Sequence, residues 1–355
     1  MIPLSKPSIT QAEINAVVNV MQSGNLAQGT KVQEFEERMA EYVGTKYAIA
    51  VPSGTTGLFL CLKACGIGHG DEVITTPFSF IASSNVIVHA GAKPVFVDID
   101  RDTYNMKTLY AIGANNKRSK VILPVDCFGN PCDTWGLPDD VYTIIDSCES
   151  LGSKMNRPFD ACVYAFYPNK QITTGEGGMI CTNNKDIADY CRTARNQGRA
   201  QGDAWLESSM IGWNFRMTDI QAAIGIVQLK RIDEILSKRR YVALMYTQEL
   251  ADLYLTGVIH GQSIPRDIEY SPFVFTIEVD NRDKVMRYLL ANGIECKPYF
   301  PCIHLQKPYR DMGYNEGMFP VAEEVSRRTL ALPFYSDMTE QEVDTVCQTL
   351  KQLLN

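Results

Sequence analysis

Along the first two thirds of the chain, the spacing of apolar positions switches repeatedly between helical and strand-like periods. Ile14, Val17, Val18 and Met21 recur at helical spacing behind Thr10-Gln-Ala-Glu13, a capping box, and Ser23-Gly24 stops that helix. A second amphipathic helix covers 32–42 and ends at Gly44. Short apolar runs at 47–51, 72–75, 94–98, 121–125, 141–145, 161–167 and 179–182 read as buried strands, most of them separated by helices or by Gly/Pro/Ser/Thr turns. That βαβα order predicts an α/β fold with a mostly parallel sheet covered by helices on both faces. A helix at 185–195 follows. Then Thr218-Asp-Ile-Gln221, a second capping box, opens one long helix towards Leu250 that bridges to the rest of the chain.

Beyond that bridge the pattern changes. A half-buried strand at 273–278, a helix at 282–291, a strand at 295–300 and helices at 322–329 and 340–354 predict a small C-terminal α+β domain. Thr339-Glu-Gln-Glu342, a third capping box, opens the last helix. The division is placed at 1–245 for the large domain, with its N-terminal segment, and 246–355 for the small one. No repeat, low-complexity segment or disordered linker interrupts either part.

Length and composition narrow the function class. A chain of 355 residues, 45% apolar and 21% charged, has the makeup of an ordinary globular protein with room for two cores. A net charge of −7 argues against a general nucleic-acid or anionic-membrane surface, though not against a local basic pocket. No apolar run reaches the ~18–20 residues that span a bilayer, and the start lacks a signal-peptide pattern. Eleven cysteines lie scattered, mostly in apolar segments and without a CxxC pair, which reads as buried reduced thiols in the cytoplasm rather than disulfides or a metal site.

The candidate chemistry falls in loops that follow strands, where open α/β sheets bind ligands. The run at 161–167 delivers Lys170 into a turn with Pro168, Thr173, Thr174 and the glycines 175, 177 and 178. A lone loop lysine is usually a solvated side chain. One held at a sheet edge can instead form a Schiff base. The 47–51 strand runs into Pro-Ser-Gly-Thr-Thr-Gly and then a helix, a start that suits a phosphate; no Gly-Lys-Ser/Thr follows, so it is not a nucleotide P-loop. Taken together, Gly54, Thr55 and Thr56 would cradle a phosphate, Phe80 would stack on a ring, and Asp146 would pair with a ring N–H⁺. Lys170 would carry the ring and move protons. The cofactor that joins these features is pyridoxal 5′-phosphate.

At this point the chain resembles the DegT/StrS-type sugar aminotransferases of fold type I. The resemblance runs through Leu26-Ala-Gln-Gly29, Ser53-Gly-Thr55, Gly70-Asp-Glu-Val73, Gly91-Ala-Lys-Pro94, Asp146 with Glu149-Ser-Leu-Gly152, Tyr167-Pro-Asn-Lys170 with Gly175-Glu-Gly-Gly178, and Asn214-Phe-Arg-Met217. It implies a large domain with a sheet of the seven-stranded type, catalytic Lys170 and Asp146, and Glu149 beside the ring hydroxyl. It also implies that Asn214 reaches the phosphate of a neighbouring subunit's cofactor, and hence a homodimer with shared sites. Arg216, Lys297, Tyr299 and His304 match segments near the substrate, which would be a nucleotide-linked keto sugar aminated from glutamate, with 4-amination favoured. One position departs: Ala165 stands where the family usually has a phosphate-binding Ser, with Ser53, Thr173 or a water as the possible substitute. Two alternatives share the scaffold. A sugar dehydratase would replace Lys170 by His, and a non-enzymatic regulator would be expected to lose Asp146 or Lys170.

Overall fold

A computed structural model describes every residue except Gln201, Asp267 and Asn355. Helices α1 (Gln11–Ser23) and α2 (Thr30–Val43) lead into β1 (Tyr47–Val51), α3 (Gly54–Ala64), β2 (Glu72–Thr75), α4 (Ala82–His89), β3 (Lys93–Phe96), α5 (Thr108–Ala114) and β4 (Ser119–Leu123). Strands β5 (Tyr142–Asp146), β6 (Ala161–Ala165) and β7 (Gly178–Thr182) come next, followed by α6 (Lys185–Ala194), α7 (Asp219–Lys230) and α8 (Ile232–Glu249). These seven strands form one sheet in the order β1-β7-β6-β5-β4-β2-β3. Neighbours from β6 to β3 pair parallel, and β7 runs against both β1 and β6. The fold is therefore α/β with a mostly parallel sheet. Because six strands point the same way, the loops after β1, β2, β5 and β6 open on one edge, and β7 begins there.

The remainder holds α9 (Ala251–Leu255), β8 (Ile259–His260), β9 (Phe275–Val279), α10 (Arg282–Ala291), β10 (Lys297–Pro298), α11 (Lys307–Arg310), α12 (Pro320–Arg328), β11 (Thr329–Leu332) and α13 (Glu340–Leu354). Its four strands pair antiparallel in the order β10-β11-β9-β8, with Val285, Leu289, Val346 and Leu350 of α10 and α13 in the core beside them. The β11 strand begins at Thr329, the last residue of the expected helix, and runs on through 330–332, which the apolar pattern assigned to no element. The strand expected at 295–300 is reduced to two residues.

All three capping boxes are formed. The long bridging helix is not continuous, however. It breaks at Arg231, whose backbone leaves the helical region (φ −99°, ψ 7°) and whose guanidinium donates to Glu13 of α1 at 2.8 Å. The second piece, α8, links two cores: Ile232, Ile235 and Leu236 pack under the large sheet, and Val242 and Tyr246 pack with the small one. The expected division after residue 245 thus falls inside a helix. The first residues, expected with the large domain, are attached to the small one: Ile2 pairs with Ile294, Glu295 accepts from the Leu4 N–H at 2.9 Å, and the Phe334 N–H donates to the Leu4 carbonyl at 2.9 Å.

Asp219, at the start of α7, fastens the opening of α2 from a distance. It is 2% exposed and its carboxylate accepts from the backbone N–H groups of Gly29 (2.8 Å), Val32 (3.1 Å) and Lys31 (3.3 Å). These are donors that a helix start cannot satisfy internally. Asp219→Ala leaves them without that acceptor and is expected to lower the unfolding free energy by about 2–4 kcal/mol in urea titration, with Asn costing less. A change below about 0.5 kcal/mol would contradict this account of α2.

Candidate active site

The sheet edge holds a cavity of about 470 Å³ with residues from each of those strand-end loops on its wall. After β1, Ser53 caps α3: its hydroxyl accepts from the Thr56 N–H at 3.1 Å, and the Thr56 hydroxyl accepts from the Ser53 N–H at 3.1 Å. Gly54 and Thr55 then line the cavity with first-turn N–H groups that have no partner inside the helix. A side chain at Gly54 would put its Cβ 2.6 Å from Cys148 Sγ and 2.9 Å from Ala165 Cβ. At the start of β7, a Cβ on Gly178 would lie 2.6 Å from the Ser53 carbonyl. Both positions require glycine for β1, β6 and β7 to approach this closely.

Asp146 closes β5 at 6% exposure. Its Oδ2 accepts from the Ser83 hydroxyl at 2.7 Å, which lies 2.9 Å from the Ser79 hydroxyl, and its Oδ1 accepts from the Cys148 N–H at 3.2 Å. Every contact treats the carboxylate as an acceptor, the arrangement that suits an ionised group waiting for a ring N–H⁺. Lys170 follows β6, with Nζ 3.6 Å from Glu149 Oε1 and 4.0 Å from the centre of the Phe273 ring. Glu149 Oε2 accepts from the Phe128 N–H at 3.0 Å. Phe80, 61% exposed, and Tyr299 lie on the cavity wall.

Residues 7–351 match the DegT/DnrJ/EryC1/StrS aminotransferase family. The chain belongs to that family. It is 36% identical to GDP-perosamine synthase of Caulobacter vibrioides over 342 residues, covering 92% of this chain and 91% of that protein. It is 33% identical to the spore coat polysaccharide biosynthesis protein SpsC of Bacillus subtilis over 383 residues, covering 99% and 97%. The crystal structure of NtdA from Bacillus subtilis with bound pyridoxamine phosphate superposes with a TM-score of 0.90 at 28% identity, over 98% of this chain and 83% of that one. The fold is fold type I, and the cofactor is pyridoxal 5′-phosphate.

The cavity fits that cofactor. The α3 start beside the side-chain-free Gly54 offers room and donors to a phosphate, Asp146 offers an acceptor to a ring nitrogen, and Lys170 offers the amine. When bound, the cofactor supplies an electron sink that a protonated ring nitrogen maintains.

Other expected residues sit elsewhere. The Thr56 hydroxyl is taken by the cap and donates to the Ser53 carbonyl at 2.8 Å, so of the expected Gly54, Thr55 and Thr56 the first two are on the cavity wall. Lys297 is exposed on β10. That strand stops at Pro298, and the two residues after it, Tyr299 and Phe300, reach the cavity. His304 is fully buried. Its Nε2 pairs with Glu323 Oε1 at 3.0 Å, and Glu323 in turn accepts from the Gly317 and Phe319 N–H groups, so the pair braces a loop and is not open to a substrate. Asn214 is exposed, and Arg216 donates to Asn196 Oδ1 at 3.2 Å. Arg216 lies in a second groove with Lys46, Arg192 and Arg199, away from this chain's own Lys170. The residues that sequence reasoning missed are Ser83 and Phe273. The Ser79/Ser83 spacing on a helical turn was the one local signal for Ser83. Phe273 gave none, because its own segment reads as the start of a strand.

Burial raises the Glu149 carboxyl to about 7, against the pull of Lys170 and the Phe128 N–H. Between about pH 4.5 and about 7, the folded state holds a proton that the unfolded state has released, so this group's contribution to stability falls as pH rises through that window. Glu149→Gln removes the titration. In urea unfolding of the cofactor-free protein, the parent-minus-variant stability difference is therefore expected to decline as pH rises across that window. A flat or rising difference would show that folding does not raise the proton affinity of Glu149.

Proposed function

We propose that the chain transfers the amino group of glutamate to a keto sugar carried on a nucleoside diphosphate, with a 4-keto-6-deoxy sugar favoured, in amino-sugar or surface-polysaccharide biosynthesis or in secondary metabolism, in the cytoplasm. The observation that carries this reading is the meeting of Lys170, Asp146 and the α3 start on one cavity wall. A relative named for a GDP-linked sugar, 36% identical over most of both chains, supports the substrate class. Lys170 serves as the proton carrier at the reacting carbon, Asp146 holds the ring nitrogen's proton, and Phe80 covers the ring. The presence of Lys170 favours amination over sugar dehydration on the same scaffold. With a panel of nucleotide-linked 3-keto and 4-keto sugars and glutamate, the parent is expected to form an amino sugar and Lys170→Ala none. A variant with undiminished turnover would overturn the role of the lysine.

The site also calls for a second copy of the chain. Among the described residues on the cavity wall, Lys170 is the only Lys or Arg, facing Asp146, Glu149 and Glu176. A cofactor phosphate, a diphosphate and two glutamate carboxylates call for more positive charge than that. The Arg216 groove of a second copy would provide it, with Asn214 adding a neutral amide donor, in a homodimer with shared sites. Mixing Asn214→Ala with Lys170→Ala chains under conditions of proven subunit exchange is expected to restore activity, since one hybrid site then keeps both residues. No recovery would mean that Asn214 acts within its own chain or not at all.

A further inference from the structure

Arg239 is a buried cation without a carboxylate. It sits midway along α8 at 3% exposure, between Leu236, which packs in the large core, and Val242, which packs in the small one. No acidic side chain lies within 4 Å of it among the described residues. Its Nε donates to the Pro272 carbonyl at 2.9 Å, its Nη2 donates to the Phe273 carbonyl at 2.6 Å, and its guanidinium stands 4.8 Å from the centre of the Phe334 ring. Burial lowers its pKa to about 10. A charge kept out of water with only carbonyls and a ring for company is costly, and an apolar side chain could fill the same space. What the charge accomplishes must therefore lie in the segment it grips.

That segment, 270–273, has no regular structure of its own and threads between the two cores. On its far side it meets the active-site loops. The Tyr270 hydroxyl donates to the Phe128 carbonyl at 3.1 Å, the Ser271 N–H donates to Ser153 Oγ at 2.8 Å, and the Phe273 N–H donates to the Phe128 carbonyl at 3.3 Å. Phe128 is also the residue whose N–H holds Glu149. The Phe273 ring ends up 2% exposed, on the cavity wall, with its centre 4.0 Å from Lys170 Nζ. Lys170 has few other restraints on its amine: Glu149 is 3.6 Å away, beyond hydrogen-bond distance.

We infer that Arg239 is a positioning residue for Lys170: by clamping the Pro272 and Phe273 carbonyls it holds the Phe273 ring against the lysine amine, and so ties the seating of the two domains to the placement of the reacting nitrogen. The inference rests on the role of Lys170 given above. Loss of the clamp lets the ring swing and the amine wander, and small displacements of a reacting group are costly in rate.

The test follows the appearance of the visible band when pyridoxal phosphate is added to cofactor-free protein, which needs no sugar, and then kcat and KM for glutamate. Arg239→Met is expected to slow both cofactor attachment and kcat by about tenfold or more while KM changes less than about threefold. Phe273→Leu should do the same, the double variant should be no slower than the worse single one, and Arg239→Lys should recover part of the loss. Thermal unfolding of each variant shows which are folded. Attachment within about twofold of the parent in a folded Arg239→Met protein, or losses that add in the double variant, would overturn the inference. Phe273→Leu tests it even if no Arg239 variant folds, because an unaffected rate there removes the ring from the argument. A parent that develops no visible band would overturn the assignment of Lys170 itself and this inference with it. A parent band with an indifferent Phe273→Leu overturns this inference alone.

Discussion

One lysine faces three carboxylates on the wall of the cavity, and this imbalance shapes the site. Each carboxylate is handled differently. Asp146 is fixed as an acceptor by a serine hydroxyl and a backbone N–H, so its charge is aimed and partly satisfied. Glu149 is buried, and its proton affinity rises until it titrates near neutrality, which relieves part of the repulsion. Glu176 stays exposed, at the open side. The lysine is left with an aromatic face and a distant oxygen in place of a tight ion pair. That leaves its amine free to react and not locked in a salt bridge.

The same imbalance explains why the large domain by itself does not make a finished site. Phe273, Tyr299 and Phe300 come from the chain beyond α8 and supply apolar wall, not charge. The basic residues gather instead in the groove around Lys46, Arg199 and Arg216, next to the α2 start that Asp219 fastens. The groove also holds Glu36 and Glu37, fewer than its five Lys and Arg side chains, so it stays basic and is complementary in charge to the acidic wall, as the proposed pairing of two copies would need.

Much of this was legible in the sequence because local signals carried it. The three capping boxes rest on residues three apart, and they formed as written. The strand-turn-helix at Ser53 and the acidic strand end at Asp146 are likewise local, and parallel pairing then brings them to one edge without further information. What failed was what depends on distant partners. The break at Arg231 answers to Glu13, more than two hundred residues away. His304 matched a substrate segment by motif, yet Glu323 and Phe319 enclose it. Phe273 reaches Lys170 only because Arg239 and Phe128 place its backbone, and no spacing within 270–278 shows that.

Ala165 leaves the helix-start cradle without the hydroxyl that the family usually places there. Its Cβ lies beside Gly54 at the α3 start, so a hydroxyl there would have faced the phosphate cradle, and its absence removes a bond worth ~1.5–3 kcal/mol. Thr173 does not replace it. Its hydroxyl donates to the Phe166 carbonyl at 2.9 Å and accepts from the Gly175 N–H at 2.9 Å, buried behind the loop and off the cavity wall. Ser53 is on the wall. Its oxygen accepts from Thr56, while the Thr56 hydroxyl directs its own proton to the Ser53 carbonyl. Among the described residues the Ser53 proton therefore has only the Thr56 oxygen, at 3.1 Å, as a partner, and an anion at the helix start would be the stronger acceptor. A phosphate held there would make the helix cap and the phosphate donor one residue, so that losing Ser53 would cost both at once.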